Sequence, residues 1–231
     1  MNKTILALDT ATEACSVALF HQGNVTFLDE LSPRTHTQRI LPMVDELLSQ
    51  AGMSIRDVDV LAFGRGPGSF TGVRVGVGIA QGLALGAELP VVPVSNLLAM
   101  AENAYQQLGA DNVIALIDAR MNEVYFAQFK RQNEQWQEIV AEQVCSPEKA
   151  IEQFQIEQDV WVVGTGWAAY AQFEQANLAV KISEITLPSA QYMLPFAIQA
   201  IEQDQLESAL EIEPVYLRNE VTWQKLPHKQ K

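Results

Sequence analysis

Two carboxylates occupy matching places in the chain. Asp9 and Asp118 each close the first apolar run of a half-chain, just before a reversal, and they lie 109 residues apart. Placed between two lobes, such aspartates, with Thr10 beside the first, could face magnesium-bound phosphates. Capping a tight turn through side-chain hydrogen bonds is an equally physical use of them. Each half also carries a Gly-x-Gly between a strand and a helix, Gly64/Gly66 and Gly164/Gly166, where backbone N–H groups at a helix start can cradle phosphate. No Gly-Lys-Ser/Thr occurs anywhere, which excludes a P-loop. Ser69 stands where a dinucleotide fingerprint counted from Gly64 would need glycine. What remains is a Pro-bearing turn over residues 64–72, with Ser69 or Thr71 as N-cap, serving either as a structural turn or as an anion contact.

Metal and nucleophile chemistries find little support. His21, His36 and His228 are scattered, with no HxxxH or HExxH spacing. His36 opens a helical pattern and reads as a cap or surface residue. Cys15 falls inside an apolar strand, where a thiol behaves as a small hydrophobe. Cys145 is 130 residues away, and the lack of a cysteine framework fits a reduced cytoplasm. No Gly-x-Ser-x-Gly elbow exists. Trp161, Trp167, Tyr170 and Phe173 bunch at helical spacing without interleaved bases, so core filling is expected of them rather than base stacking.

The elements that would position Asp9 and Asp118 follow from periodicity. Strands are expected over 4–9, 15–21 and 25–30, the last two joined by Gln22-Gly23-Asn24. A helix over 35–50 has Ile40, Val44 and Leu47 on one face and stops at Gly52. A strand at 58–63, the glycine-rich turn, a helix over 71–87, a strand at 89–94 and a helix fading near Gly109 complete the first half. Strands at 113–119, 123–130 and 135–144, a helix opened by Pro147 and a strand at 159–163 then repeat the order. A βββαβα order met twice is what duplicated α/β lobes of the actin-like (ASKHA) ATPase fold would produce. The expected division is 1–108, 109–213 and a tail over 214–231. The second helix carries Gly78, Gly82 and Gly86 in a stripe with Val75 nearby. Each interior glycine costs about 1 kcal/mol relative to alanine, so that face either packs tightly inside its own lobe or receives another chain's helix.

Charge limits the partners. The 231 residues hold 28 acids and 15 bases, a net charge of −13, which argues against a free-standing nucleic-acid binder. Residues 134–213 account for −12 and residues 1–133 for −4, while the tail is +3 through Arg218, Lys225, Lys229 and Lys231 against Glu220. The uncharged, apolar stretch 75–87 is short for a bilayer, so no membrane association is expected.

Leu6-Ala7-Leu8-Asp9-Thr10-Ala11-Thr12, Cys15-Ser16-Val17-Ala18, Gly66-Pro67-Gly68-Ser69-Phe70-Thr71-Gly72-Val73-Arg74 with Gly76, Pro93-Val94-Ser95 and Pro214-Val215-Tyr216-Leu217-Arg218 together resemble the TsaB (YeaZ) family. The likeness spans almost the whole chain. It implies a bacterial relative of TsaD, the catalytic subunit that installs threonylcarbamoyl on N6 of adenosine 37 in tRNAs reading codons that start with A. TsaD carries an HxxxH metal pair after a Pro-Val; counted from Pro93-Val94, those positions fall on Asn96 and Met100 here. A neutral amide and a soft thioether are poor ligands for such a metal.

The resemblance therefore implies a non-catalytic subunit that binds TsaD and TsaE and forms a homodimer in their absence. tRNA would be held mainly by TsaD, and ATP consumed by the complex without a cofactor assigned to this chain. The helices at 35–50 and 71–87 would form the interface, with His36, Ile40, Val44, Leu47, Val75, Gly78, Gly82 and Gly86 as its candidates. Asp9, Thr10, Asp118, Gly164 and Gly166 are the candidates for nucleotide contact. Two alternatives stay open: an autonomous actin-fold ATPase or phosphotransferase using Asp9 and Asp118, and a metallopeptidase, against which the missing HxxxH counts.

Overall fold

Alternation within a fully apolar run sets the first lobe. The structure, a computed structural model, describes residues 3–32 and 35–218. Strand β1 (Ile5–Asp9) is buried throughout and lies at the centre of a five-stranded sheet. On its one side β2 (Ala14–His21) runs antiparallel, with Leu6 opposite Leu19 and Leu8 opposite Val17, followed by β3 (Asn24–Leu31) at the edge. On its other side β4 (Val60–Gly64) and β5 (Val91–Val94) run parallel. Side chains alternate across a strand. Leu6, Leu8, Leu61 and Phe63 therefore pack on one face against α1 (His36–Gln50) and α2 (Phe70–Ala87). Ile5, Ala7, Val60 and Ala62 face the other way. Each fully buried Leu or Ile stabilises the fold by about 1.5–3 kcal/mol.

The second sheet repeats the first. Strands β6 (Asn112–Arg120), β7 (Glu123–Gln132), β8 (Gln135–Cys145), β9 (Trp161–Val163) and β10 (Lys181–Ile182) take the order β10-β9-β6-β7-β8, which is the first sheet's β5-β4-β1-β2-β3 order met again. The pairing senses repeat too: β6–β7 and β7–β8 are antiparallel, β6–β9 and β9–β10 parallel. This is the duplicated two-lobe α/β arrangement of the actin-like fold. The second lobe's helices are short: α4 (Pro147–Ile151), α5 (Gly166–Ala169) and α6 (Ala171–Gln175). Trp167 and Phe173 stack at 5.3 Å in their core, as their spacing suggests.

Two connections join the lobes. Helix α3 (Asn96–Leu108) gives Ala99 to the first lobe's cluster and Leu97, Met100, Ala101 and Ala104 to the second's, beside Val113 and Ala115. The chain after residue 188 then returns to the first sheet. Ser189 donates to Asp29 at 2.9 Å and the Ala190 N–H to Ser16 Oγ at 2.9 Å. Leu194 and Ala197 of α7 (Leu194–Glu202) pack on Ile5 and Ala7. Residues 189–212, grouped by sequence order with the second lobe, thus contribute to the core of the first. The tail bases Lys225, Lys229 and Lys231 lie outside the described residues; Arg218 donates to Glu123 and to the Ala119 carbonyl.

Candidate functional site

Asp9 sits at the carboxyl end of β1 with no solvent exposure. Asn96, first residue of α3, donates from Nδ2 to Asp9 Oδ1 at 2.7 Å and accepts the Gly66 N–H on Oδ1 at 2.9 Å. The other carboxylate oxygen has no partner among the described residues. Burial raises the Asp9 carboxyl from 3.8 to about 6, against the lowering by Asn96 and by the Ala11 and Thr10 backbone. Gly64 is required here, because a Cβ on it would overlap Asp9 Oδ1. The same closeness holds under α2, where Gly72 lies against the Thr10 carbonyl and Thr10 Oγ1 donates to the Gly72 carbonyl at 2.7 Å. The Ser69 N–H donates to the Ala11 carbonyl and the Gly72 N–H to Ser69 Oγ, which caps α2. The glycine-rich turn is thus built as a packed structural turn, with these two N–H groups already used.

Asp118 has different surroundings. It lines a cleft of about 610 Å³ with Thr12, Glu13, Ser69, Arg120 and Thr165. Tyr170 donates to Asp118 Oδ1 at 2.7 Å, and Arg120 pairs with Oδ2 at 3.0 Å. Asp9 and Thr10 are not among the residues lining that cleft. Gly164 and Gly166 are pressed against Leu116 of β6, and Thr165 between them accepts the Asp118 N–H at 3.1 Å. The two aspartates therefore hold equivalent places in the repeat without facing one cavity. Asn96, with both ends of its amide engaged, and Met100, fully buried in the second lobe's apolar cluster, do not form a metal site. No group of three His, Cys, Asp or Glu side chains suited to a metal occurs among the described residues.

Helix α2 has two glycine stripes, one inward and one outward. Gly72 and Gly76 face inward against Thr10, whereas Gly78, Gly82 and Gly86 are exposed, and a Cβ on any of these three would meet nothing within 4 Å. Packing inside the lobe is thereby ruled out as their reason. Val75 is half-buried beside them. By length and composition α2 could cross a membrane, with mean hydropathy 1.2, but Val73, Val77, Ala80 and Ala84 belong to the first lobe's core. Three candidates on α1 need correction: Ile40, Val44 and Leu47 are the face turned to the sheet and are buried in that core. The apolar period marked the buried side. Leu41 is exposed on the outer side, and His36 is tied through Nε2 to the Thr12 carbonyl at 2.7 Å.

The family model described as TsaD, tRNA N6-adenosine threonylcarbamoyltransferase, matches residues 22–227. A Haemophilus influenzae protein named tRNA threonylcarbamoyladenosine biosynthesis protein TsaB is 60% identical over 234 residues, covering 98% of each chain. The chain belongs to the TsaB (YeaZ) family. An Escherichia coli protein of the same name is 52% identical, covering 98% of this chain and 99% of that one. Among solved structures, YeaZ from Pseudomonas aeruginosa superposes with a TM-score of 0.85 at 42% identity, over 93% of this chain and all of the other.

Neither the pairing of Asp9 with Asn96 nor the return of the closing motif to the glycine-rich turn follows from sequence spacing. The Val215 N–H donates to the Arg65 carbonyl at 3.1 Å, and Tyr216 accepts from Arg74 Nε at 2.6 Å. The Arg74 guanidinium lies 3.5 Å from the Phe70 ring centre. Only the aromatic and arginine content of those segments hinted at this contact.

Proposed function

We propose that this chain is a non-catalytic, cytoplasmic subunit of the machinery that makes threonylcarbamoyladenosine in tRNA. It binds TsaD through the outer faces of α1 and α2, and TsaE joins the pair. TsaD transfers threonylcarbamoyl from threonylcarbamoyl-AMP to N6 of adenosine 37 and holds the tRNA, while ATP is consumed by the complex. Without these partners two copies of the chain pair through the same helices. The names of the relatives support the pathway. The observation that carries the binding role is the open α2 face, where Gly78, Gly82 and Gly86, one at every fourth position, leave room for another helix to approach closely. The engaged Asn96 amide supports the non-catalytic part.

A leucine at 82 would place a side chain where the partner helix must lie. Overpacking of this kind costs about 1–3 kcal/mol, so Gly82→Leu should weaken the complex with TsaD by roughly 5- to 150-fold. Gel filtration of the mixed proteins reads this directly, and an unchanged complex would defeat the proposed interface. The cleft beside Asp118 leaves one second reading, an autonomous ATPase. Its signature is ATP turnover by the purified chain that disappears in Asp118→Ala, since Asp118 is the aspartate that lines the cleft.

A further inference from the structure

A second groove between the lobes lies away from both the Asp118 cleft and the outer face of α2. It has a volume of about 360 Å³, within the range of small-ligand sites. Its walls come from the end of β3, the middle of α3 and the segment 184–192. Three carboxylates border it: Asp29, Glu30 and Glu184. Glu30 is held by a two-point pair with Arg39, at 2.7 Å for both bonds. Asp29 accepts from Ser189 and Gln191 but has no cationic partner among the described residues. Desolvation raises its carboxyl above the ordinary value despite those donors.

The second observation is independent of this charge. Asn103 on α3 lines the same groove, is 7% exposed, and its side-chain oxygen is buried with no partner among the described residues. Leaving a buried polar atom unpaired costs about 1–3 kcal/mol, so the position calls for a ligand that supplies a donor. No cluster of three metal-ligating side chains occurs among the described residues. The rest of the wall is apolar, with Ile185, Leu187 and Pro188. Carboxylate, neutral oxygen acceptor and aliphatic wall together match an alkylammonium, whose head has three donors and no acceptor.

We infer that this groove binds a primary ammonium group on an aliphatic chain, with Asp29 receiving the head, Asn103 turning its amide oxygen toward it, Glu184 adding charge at the rim, and Ile185 and Leu187 covering the stem. Two sources share that chemistry: a free polyamine and a lysine side chain of another protein. Because the walls come from both lobes, an occupant would brace one against the other.

The test uses the full chain and isothermal titration with spermidine and, separately, with Nα-acetyl-lysinamide, at constant ionic strength. Saturable binding is expected, weakened about tenfold or more by Asp29→Asn, as loss of a charge-assisted hydrogen bond implies. Asn103→Leu should weaken it as well. Glu184→Gln, at an exposed position where folding is not at risk, should weaken it to a smaller extent. Binding of spermidine alone identifies a free polyamine; binding of both identifies a side-chain head. Absence of binding by either probe overturns the inference. So does spermidine binding that all three variants leave unchanged, or that magnesium at equal charge displaces, since either result would mark general attraction to the acidic surface.

Discussion

Replacing Asp9 by asparagine removes a buried charge while nearly keeping its shape. In the native protein burial lifts this carboxyl from 3.8 to about 6. Between those values the folded chain keeps a proton that the unfolded chain has released. Stability from this group is therefore fully present below the unfolded value and is lost as pH rises through the folded one. At 1.36 kcal/mol per unit, the shift is worth about 3 kcal/mol, of which about 2.5 kcal/mol falls between pH 4 and pH 7.5. Asparagine does not titrate. The unfolding free energy of Asp9→Asn relative to the native chain should accordingly rise by about 2.5 kcal/mol over that interval. Asp9 Oδ2 has no partner among the described residues, so an asparagine Nδ2 there would be an orphan donor costing about 1–3 kcal/mol. That cost moves the whole difference curve and leaves its slope alone. Urea unfolding followed by tryptophan fluorescence at several pH values between 4 and 7.5 gives the slope. Parallel curves for the two proteins would refute the buried, proton-holding Asp9.

Three further outcomes follow from packing. Gly82→Leu should leave the monomer as stable or up to about 1 kcal/mol more stable, because the helix loses a glycine and the new side chain meets no neighbour; a clear loss in urea unfolding would show that the face is internal. Gly64→Ala sets a methyl against Asp9 Oδ1 and should cost about 1–3 kcal/mol, read as a lower Tm; an unchanged Tm would contradict the close approach. Burial pushes the Cys15 thiol up to about 12 and Cys145 to about 11, so both should resist an aromatic disulfide reagent at pH 8 until urea is added. Rapid labelling of the folded chain would count against that.

The repeat was legible because duplication leaves marks that survive in order: Asp9 and Asp118, Gly64/Gly66 and Gly164/Gly166, each at the same step of a strand sequence. Sheet order then followed from element order. The packing partner of each element was less accessible. Ile40, Val44 and Leu47 mark an apolar helix face, yet periodicity alone does not tell a lobe's own sheet from another protein. The return of residues 189–212 to the first sheet depends on contacts such as Ser189 with Asp29, 160 residues apart, and nothing local announces it. Asn96 is the instructive case. Its place in the motif suggested a lost metal ligand, whereas its actual work, joining Asp9 to Gly66, depends on positions 87 and 30 residues away. The outward glycines were visible as a stripe, but their exposure became clear only once Gly72 and Gly76 were seen to fill the inward side.

The central claim, a binding subunit without transfer chemistry of its own, meets its most direct test in reconstitution. Threonylcarbamoyladenosine formation on substrate tRNA is measured with TsaD, TsaE, ATP and threonylcarbamoyl-AMP, with and without this chain, and with this chain alone. No product is expected from the chain alone, little without it, and full formation when all are combined. Equal product in its absence, or transfer by the isolated chain, would contradict that claim.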